Sequence, residues 1–336
     1  MTDIGSQLIK LNEYPVRDVL EILLRDRTTG KNIIFATNEY AFAYERDEIT
    51  VELINGEHFN GIHPRFRKTV ASQAARTKEK AEVFTPSWVC NKMNNHCDEE
   101  WFGRKGVFNT EYIDKDGSHG WRVNGKMIEF PEGKTWKDYV LSKRLEITCG
   151  EAPFIVSRYD ATNSKISEDK NEPVKVIEND KDSHIIEVEK RIGILDRKLR
   201  VVTENAKDEK DWREWAYKAF QSVYGYEFQG DNLLIARVNL LMTFVDYMKA
   251  VWGKKPTKQQ LTKIAEIVSW NLWQMDGLKG TVPFEDKPEE DYEYTGNLFL
   301  AFADGEPVEE EKTDVECKIK DWQTGKTLKF SDIRRG

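Results

Sequence analysis

The sequence predicts an α/β protein built on an open sheet. Three short apolar runs, at 144–148, 223–228 and 267–275, each end in a polar or glycine-bearing turn, as strands do whose carboxyl ends hold ligands. Helical patterns at 192–203 and 209–222 lie between the first and second runs, and another at 231–252 lies between the second and third. At about 150 residues per domain, 336 residues allow one large domain or two ordinary ones.

Along the chain, residues 15–27 (PVRDVLEILLRDR) place Val16, Val19, Leu20, Leu23 and Leu24 on one helical face, and the Thr-Thr-Gly at 28–30 ends the helix. Two β-rich runs, 32–35 and 49–54, flank a charged loop. Residues 62–80 carry Arg65, Arg67, Lys68, Arg76, Lys78 and Lys80 against a single acid, Glu79. Such a strip is either a solvated helix face or a surface that neutralises phosphates. Residues 104–130 read as a β-insert, with turn signals at 114–120 and at Asn124-Gly125. The polar stretch 160–184 reads as a surface loop within an insertion reaching residue 190. Acidic clusters at 285–293 and 306–314, followed by a basic end, predict a partly ordered tail. The resulting division is 1–80, 81–283 and 284–336.

Charge and cysteine usage narrow the class. Lys plus Arg is 51 and Asp plus Glu is 59, a net charge of −8, which argues against a nonspecific nucleic-acid coat but leaves room for a local basic groove. Four cysteines and no apolar run near 18 residues point to the cytoplasm, with neither disulfides nor a membrane segment. Cys90, His96 and Cys97 lie close together, but no fitting second ligand pair occurs, so no metal is expected. Trp212 and Trp215, like Trp270 and Trp273, form W-x-x-W pairs suited to core packing.

The chemistry-bearing candidates lie at the ends of the three apolar runs. In the first, Glu146-Ile-Thr148-Cys-Gly150-Glu-Ala152-Pro-Phe154, Gly150 permits a tight turn and Ala152 lets backbone approach a bound group. The second delivers Glu227 to a strand tip, where a carboxylate can accept hydrogen bonds from both hydroxyls of a ribose. The third ends in Asp276-Gly277, which also suits a simple Asx turn. Upstream, Thr85-Pro86 after Phe84 suits a helix start, with Thr85 as cap.

Taken in order, these segments resemble the motifs of γ-type N6-adenine DNA methyltransferases, the modification subunits of restriction systems, sometimes called restriction endonuclease subunit M. Ala81-Glu-Val-Phe-Thr-Pro86 is similar to the family's EVFTP signature, and 146–154 to its D-P-A-C-G-S-G-x-F loop. Tyr224-Gly-Tyr-Glu227 with the following Leu-x-x-Ala-Arg-x-Asn-Leu at 233–240 resembles the ribose-binding segment, and Gln274-Met-Asp276-Gly-Leu278 the turn beside the adenine ring. The resemblance spans roughly residues 76–280 and implies a Rossmann-like core that binds S-adenosyl-L-methionine. It implies cofactor contacts for Phe84, Thr85, Pro86, Glu146, Thr148, Gly150, Ala152, Phe154, Glu227, Asp276 and Gly277. With it, Arg65, Arg67, Lys68, Arg76 and Lys78 become the candidate DNA-binding residues.

The departures are specific. Glu146 stands for Asp, Ile147 for Pro and Ala152 for the second Gly. The family's catalytic (D/N/S)-P-P-(Y/F) turn has no counterpart: after Asp276 the prolines are Pro283, Pro288 and Pro307, in VPFED, KPEED and EPVEE. About 60 residues follow Asp276, too few for the remaining catalytic strands plus a target-recognition domain. The expectation is therefore a methyltransferase-like protein of a restriction-modification or phage-defence system, partnered by DNA and by a restriction or specificity subunit or a chain supplying the missing turn. A catalytically inactive relative that binds DNA or cofactor, and an acidic interaction or DNA-mimic protein, are the alternatives.

Overall fold

The computed structural model describes residues 10–55, 62–64, 85–162, 164–166, 173–178, 185–286 and 314–334, and mixes helices with small sheets as an α/β chain. A 3₁₀ turn at Arg17–Val19 leads into α1 (Leu20–Leu24), shorter than the 15–27 pattern, with Val19, Leu20, Leu23 and Leu24 buried. The run at 32–35 makes only isolated bridges, Arg25 to Asn32 and Ile34 to Glu48. The run at 49–54 is not a strand, because α2 occupies Val51–Asn55. The Thr50 hydroxyl accepts the Leu53 N–H and turns the chain into a helix before its β-branched residues can pair.

Helix α3 (Ser87–Phe102) starts one residue later than the sequence suggests. Pro86 takes the cap position, and the buried Ser87 N–H is met by Asp160 Oδ2 at 2.8 Å, so the cap comes from another segment and not from Thr85. Hairpin β1 (Asn109–Ile113) and β2 (His119–Val123) turns at the predicted place, pairing Ile113 with His119. After α4 (Trp136–Leu141) and β3 (Arg144–Glu146), the 160–184 stretch, whose polar sequence reads as a surface loop, contributes β4 (Ser164–Ile166) and β5 (Val174–Glu178). These complete an antiparallel sheet of order β1-β2-β5-β4. Val174 and Val176, two apart on one strand face, pack with the buried Trp121.

Helices α5 (Ile194–Asn205) and α6 (Glu209–Gln221) lead to β6 (Val223–Glu227), and α7 (Gly230–Trp252) and α8 (Lys258–Asn271) to β7 (Leu272–Gln274). The third expected strand, 267–275, is thus helical through Asn271. Ile264, Ile267 and Val268 recur at helical spacing and are buried, and only three residues after Asn271 are extended. Of the two tryptophan pairs, Trp212, Trp215 and Trp273 are buried, while Trp270 lies under the Arg27 guanidinium. The chain then forms β8 (Thr281–Asp286), β9 (Asp314–Glu316), β10 (Lys318–Lys320), β11 (Thr327–Lys329) and α9 (Phe330–Arg334).

Strands β3, β6 and β7 make a parallel sheet in that order, with Glu146 beside Gly225 and Glu227 beside Gln274. Every residue of β6 and β7 is buried. Helix α7 is anchored beneath this sheet by Arg237, a fully buried side chain whose guanidinium donates to the carbonyls of Leu23, Arg25, Ser269 and Leu272. One side chain therefore joins α1, α7, α8 and β7. Among the described residues no helix is long and apolar enough to cross a membrane.

Replacing Arg237 by Leu strands the buried carbonyls of Leu23, Ser269 and Leu272 and the part-buried one of Arg25, each buried group costing about 1–3 kcal/mol if unpaired. We expect the variant to lose roughly 3–6 kcal/mol of unfolding free energy in urea titrations, allowing for partial relaxation. A loss below about 1 kcal/mol would show that the anchor is dispensable.

Candidate functional site

The carboxyl ends of β3, β6 and β7 meet at one place. Beyond β3, Glu146 folds its carboxyl back to accept the Phe154 and Ile155 N–H groups at 3.4 and 3.1 Å, closing a loop over 146–155. Inside it, Thr148, Gly150 and Ala152 take φ of 45°, 54° and 63°. Only glycine adopts this region without strain, so the two β-carbon-bearing residues are held there by the surrounding structure. Cys149 N–H donates to Tyr226 O at 2.8 Å, seating the loop over β6.

Glu227 joins the loop to the next element. Its Oε2 accepts the Gly150 N–H at 2.8 Å and its Oε1 accepts the Gln229 N–H at 3.1 Å, just before α7 begins. Asn239, further along α7, donates to Glu151 O at 3.2 Å and to the Tyr159 hydroxyl at 2.9 Å, and that hydroxyl donates to Glu151 Oε2 at 2.7 Å. The loop is thus gripped at both ends and at its centre.

The N-terminal region closes over the same sheet ends. Gln274 Nε2 donates to Phe228 O and Ile34 O at 2.8 and 2.9 Å, while its Oε1 accepts the Ile34 N–H at 2.9 Å. A Cβ at Gly230 would lie 1.9 Å from Ile34 O, so only glycine admits this approach. The Tyr40 hydroxyl donates to the buried Asp231 at 2.6 Å.

Of the candidate cofactor residues, Glu146, Thr148, Gly150, Ala152, Phe154 and Glu227 come together in this loop and its support. Asp276 lies just past β7, where its Oδ1 accepts the Leu278 and Lys279 N–H groups at 2.9 and 3.2 Å, the Asx turn that its sequence allowed. A Cβ on Gly277 would meet the Tyr226 ring at 2.8 Å, so this turn packs onto β6. Thr85 and Pro86 precede α3, which reaches the loop through Asn94 Nδ2, a donor to Phe154 O at 3.0 Å. Phe84, Arg65, Arg67, Lys68, Arg76 and Lys78 lie outside the described residues.

Burial dominates the electrostatics. It raises the Glu146 carboxyl well above the ordinary range, and the Glu227 charge adds to the rise against the opposing backbone hydrogen bonds. Burial likewise raises the Cys149 thiol, with Glu146 and Glu227 next in effect, and the Cys90 thiol, with Glu146 and Asp160 next. Both thiols are held protonated and unreactive. No group of three or more His, Cys, Asp or Glu among the described residues could hold a metal ion.

Tyr159 and Asp160 support the site without having been singled out in the sequence, whereas Gln274 and Asn239 stand inside the 274–278 and 233–240 segments that carry the resemblance. For Asn239, its place beside Arg237 was the available signal.

No protein-family model matches the chain, and neither a curated protein nor a solved structure does.

The loop carries two expectations. Glu146→Gln keeps an acceptor for Phe154 and Ile155 but removes the ionisation. A carboxyl raised on folding contributes stability below its unfolded value of 4.5 and loses it as pH rises through the folded value. The variant should therefore gain stability relative to the parent between pH 5 and pH 8 in urea titrations; an unchanged difference would refute it. Thr148 is exposed at positive φ, so Thr148→Gly should raise the unfolding free energy by about 0.5–1 kcal/mol. Destabilisation by that variant would show that the hydroxyl or methyl makes a contact worth more than the strain.

Proposed function

We propose that the chain binds S-adenosyl-L-methionine at the ends of β3, β6 and β7, as a DNA adenine-N6 methyltransferase-like protein of a restriction-modification or phage-defence system. The observation that carries this reading is the meeting of the 146–154 loop, Glu227 and Asp276 on three adjacent parallel strands, although over 70 residues separate the first two in sequence. Parallel strands with ligand groups at their carboxyl ends are the arrangement of a Rossmann-like core.

The residues present fit such a cofactor. Carboxylate oxygens can each accept more than one hydrogen bond, so Glu227 can hold a ribose hydroxyl pair while it keeps Gly150 and Gln229. Gly150 presents no side chain to a bound group, Ala152 is fully buried behind it, and Asn239 and Glu146 hold the loop in place. When bound, the cofactor supplies an electrophilic methyl on a sulfonium. The chain's part is to bind and orient it in a cytoplasmic protein, with DNA met by the basic residues at 65–78.

A second reading, a relative that keeps the cofactor site and takes its base-positioning turn from a partner chain or subunit, is favoured by the segment after Gly277. There the chain enters β8, which pairs antiparallel with β9, and Phe284 packs edge-on to Phe228 with the Arg46 guanidinium over its ring. No paired-proline aromatic turn occurs in this segment.

Isothermal titration calorimetry with S-adenosyl-L-methionine tests the site. Heat of binding is expected for the parent, with affinity falling at least roughly tenfold in Glu227→Gln, the loss for a charged hydrogen-bond acceptor. No heat from the parent removes both methyltransferase readings. Tritiated methyl transfer to adenine-containing DNA then separates them: incorporation above that of Glu227→Gln by the isolated chain identifies an active enzyme, and its absence favours the partner-dependent relative.

A further inference from the structure

The two edges of the parallel sheet are treated differently. In a strand, successive residues direct their backbone groups to opposite neighbours. On β7, Met275 N–H donates to Glu227 O, so Leu272 and Gln274 face outward; their carbonyls accept from Arg237 and from Cys317 Sγ. That edge is finished by side chains of the same chain.

On β3, Arg144 N–H donates to Ser222 O, so Leu145 directs its N–H and C=O away from β6. No strand pairs there among the described residues. Leu145 is 49% exposed and Ile147, just beyond the strand, 65%, against full burial of β6 and β7. An unpaired edge with apolar side chains is a template for another extended chain.

The surface beside it favours one kind of occupant. A cavity of about 210 Å³ opens between the sheet and the β10–β11 hairpin, lined by Leu145, Tyr224, Trp273 and Leu328. Its charged lining is Lys143, Arg144, Lys320 and Asp321. Asp321 is held by Lys143 at 3.1 Å, whereas the buried Arg144 Nη2 has no hydrogen-bond partner among the described residues. A second copy meeting this edge would set like charges against each other, which disfavours self-association.

We propose that the outer edge of β3 docks an extended, acid-bearing segment of a partner chain. The segment adds as a fourth strand, places alternate apolar side chains against the cavity and sets its carboxylates in the field of the Arg144 and Lys320 cations. This inference is independent of the cofactor reading.

The probe is a fluorescein-labelled peptide of about ten residues, alternating Val and Thr between terminal glutamates, with a twin carrying lysines instead. Fluorescence anisotropy of the full chain should rise with the acidic peptide and at least about tenfold more weakly with the lysine twin. Leu145→Pro removes only an outward N–H, a change edge strands tolerate, and should abolish binding, while Leu145→Val retains it. Arg144→Gln should weaken the acidic peptide about fivefold without changing the twin, a test that stands if the proline variant fails to fold. Absence of binding to the parent up to about 1 mM, or equal binding by a folded Leu145→Pro variant, overturns the proposal. So does a concentration-dependent dimer in light scattering that Leu145→Pro dissociates, since the occupant is then a second copy.

Discussion

A buried guanidinium whose hydrogen bonds go to backbone carbonyls, with the buried Asp26 carboxylate acting on it only at longer range, carries this structure. Arg237 is surrounded by four backbone carbonyls, and its planar fork of donors reaches groups that point in different directions at the end of α1, the end of α8 and the start of β7. A lysine at that position offers three donors around one atom and could not span them. Burying the charge costs solvation, and burial lowers the Arg237 guanidinium to about 9; the carbonyls around it offset part of that cost by satisfying its donors in the same small volume.

The position of α7 follows from that anchor, and the candidate site follows from α7. Glu227 and Gln229 lead into the helix, Asp231 in its first turn takes the Tyr40 hydroxyl, and Asn239, two residues beyond Arg237, grips the 146–155 loop. Further along, Asp246 accepts from Arg158 at 3.0 Å and from Arg191 at 2.6 Å, tying the helix to the segments on either side of the insertion. Asp196 beside Arg191 is raised to about 6 by burial in spite of that cation. A single helix thus sets the loop, the acid at its centre and the segment behind it.

The sheet is asymmetric for the same reason. Arg237 and Cys317 cap the outward carbonyls of β7, and the β8–β11 region packs Val282, Cys317 and Ile319 with Tyr226 and Trp273. Nothing comparable covers β3 among the described residues, so apolar surface and backbone hydrogen-bonding capacity remain at one edge only.

What the sequence determined by itself were the elements whose signal is local. The β1–β2 turn, the α7 helix and the strand ending in Glu227 were legible because alternation, helical spacing and turn residues all act over a few positions. The Asx turn at Asp276 was legible too, as one of the two readings its sequence offered. The structure alone decided matters that depend on distant partners. Residues 267–271 are helical because their apolar spacing finds a core on one side, and Val174 and Val176 become a strand because Trp121 offers them a face. Asp160 caps α3 from more than 70 residues away, and Arg237, an ordinary polar residue in the sequence, becomes the anchor only where four carbonyls converge. Local spacing states what a segment can form. Which donor meets which acceptor is settled only when distant segments share the same dry volume and each buried polar group must find a partner there.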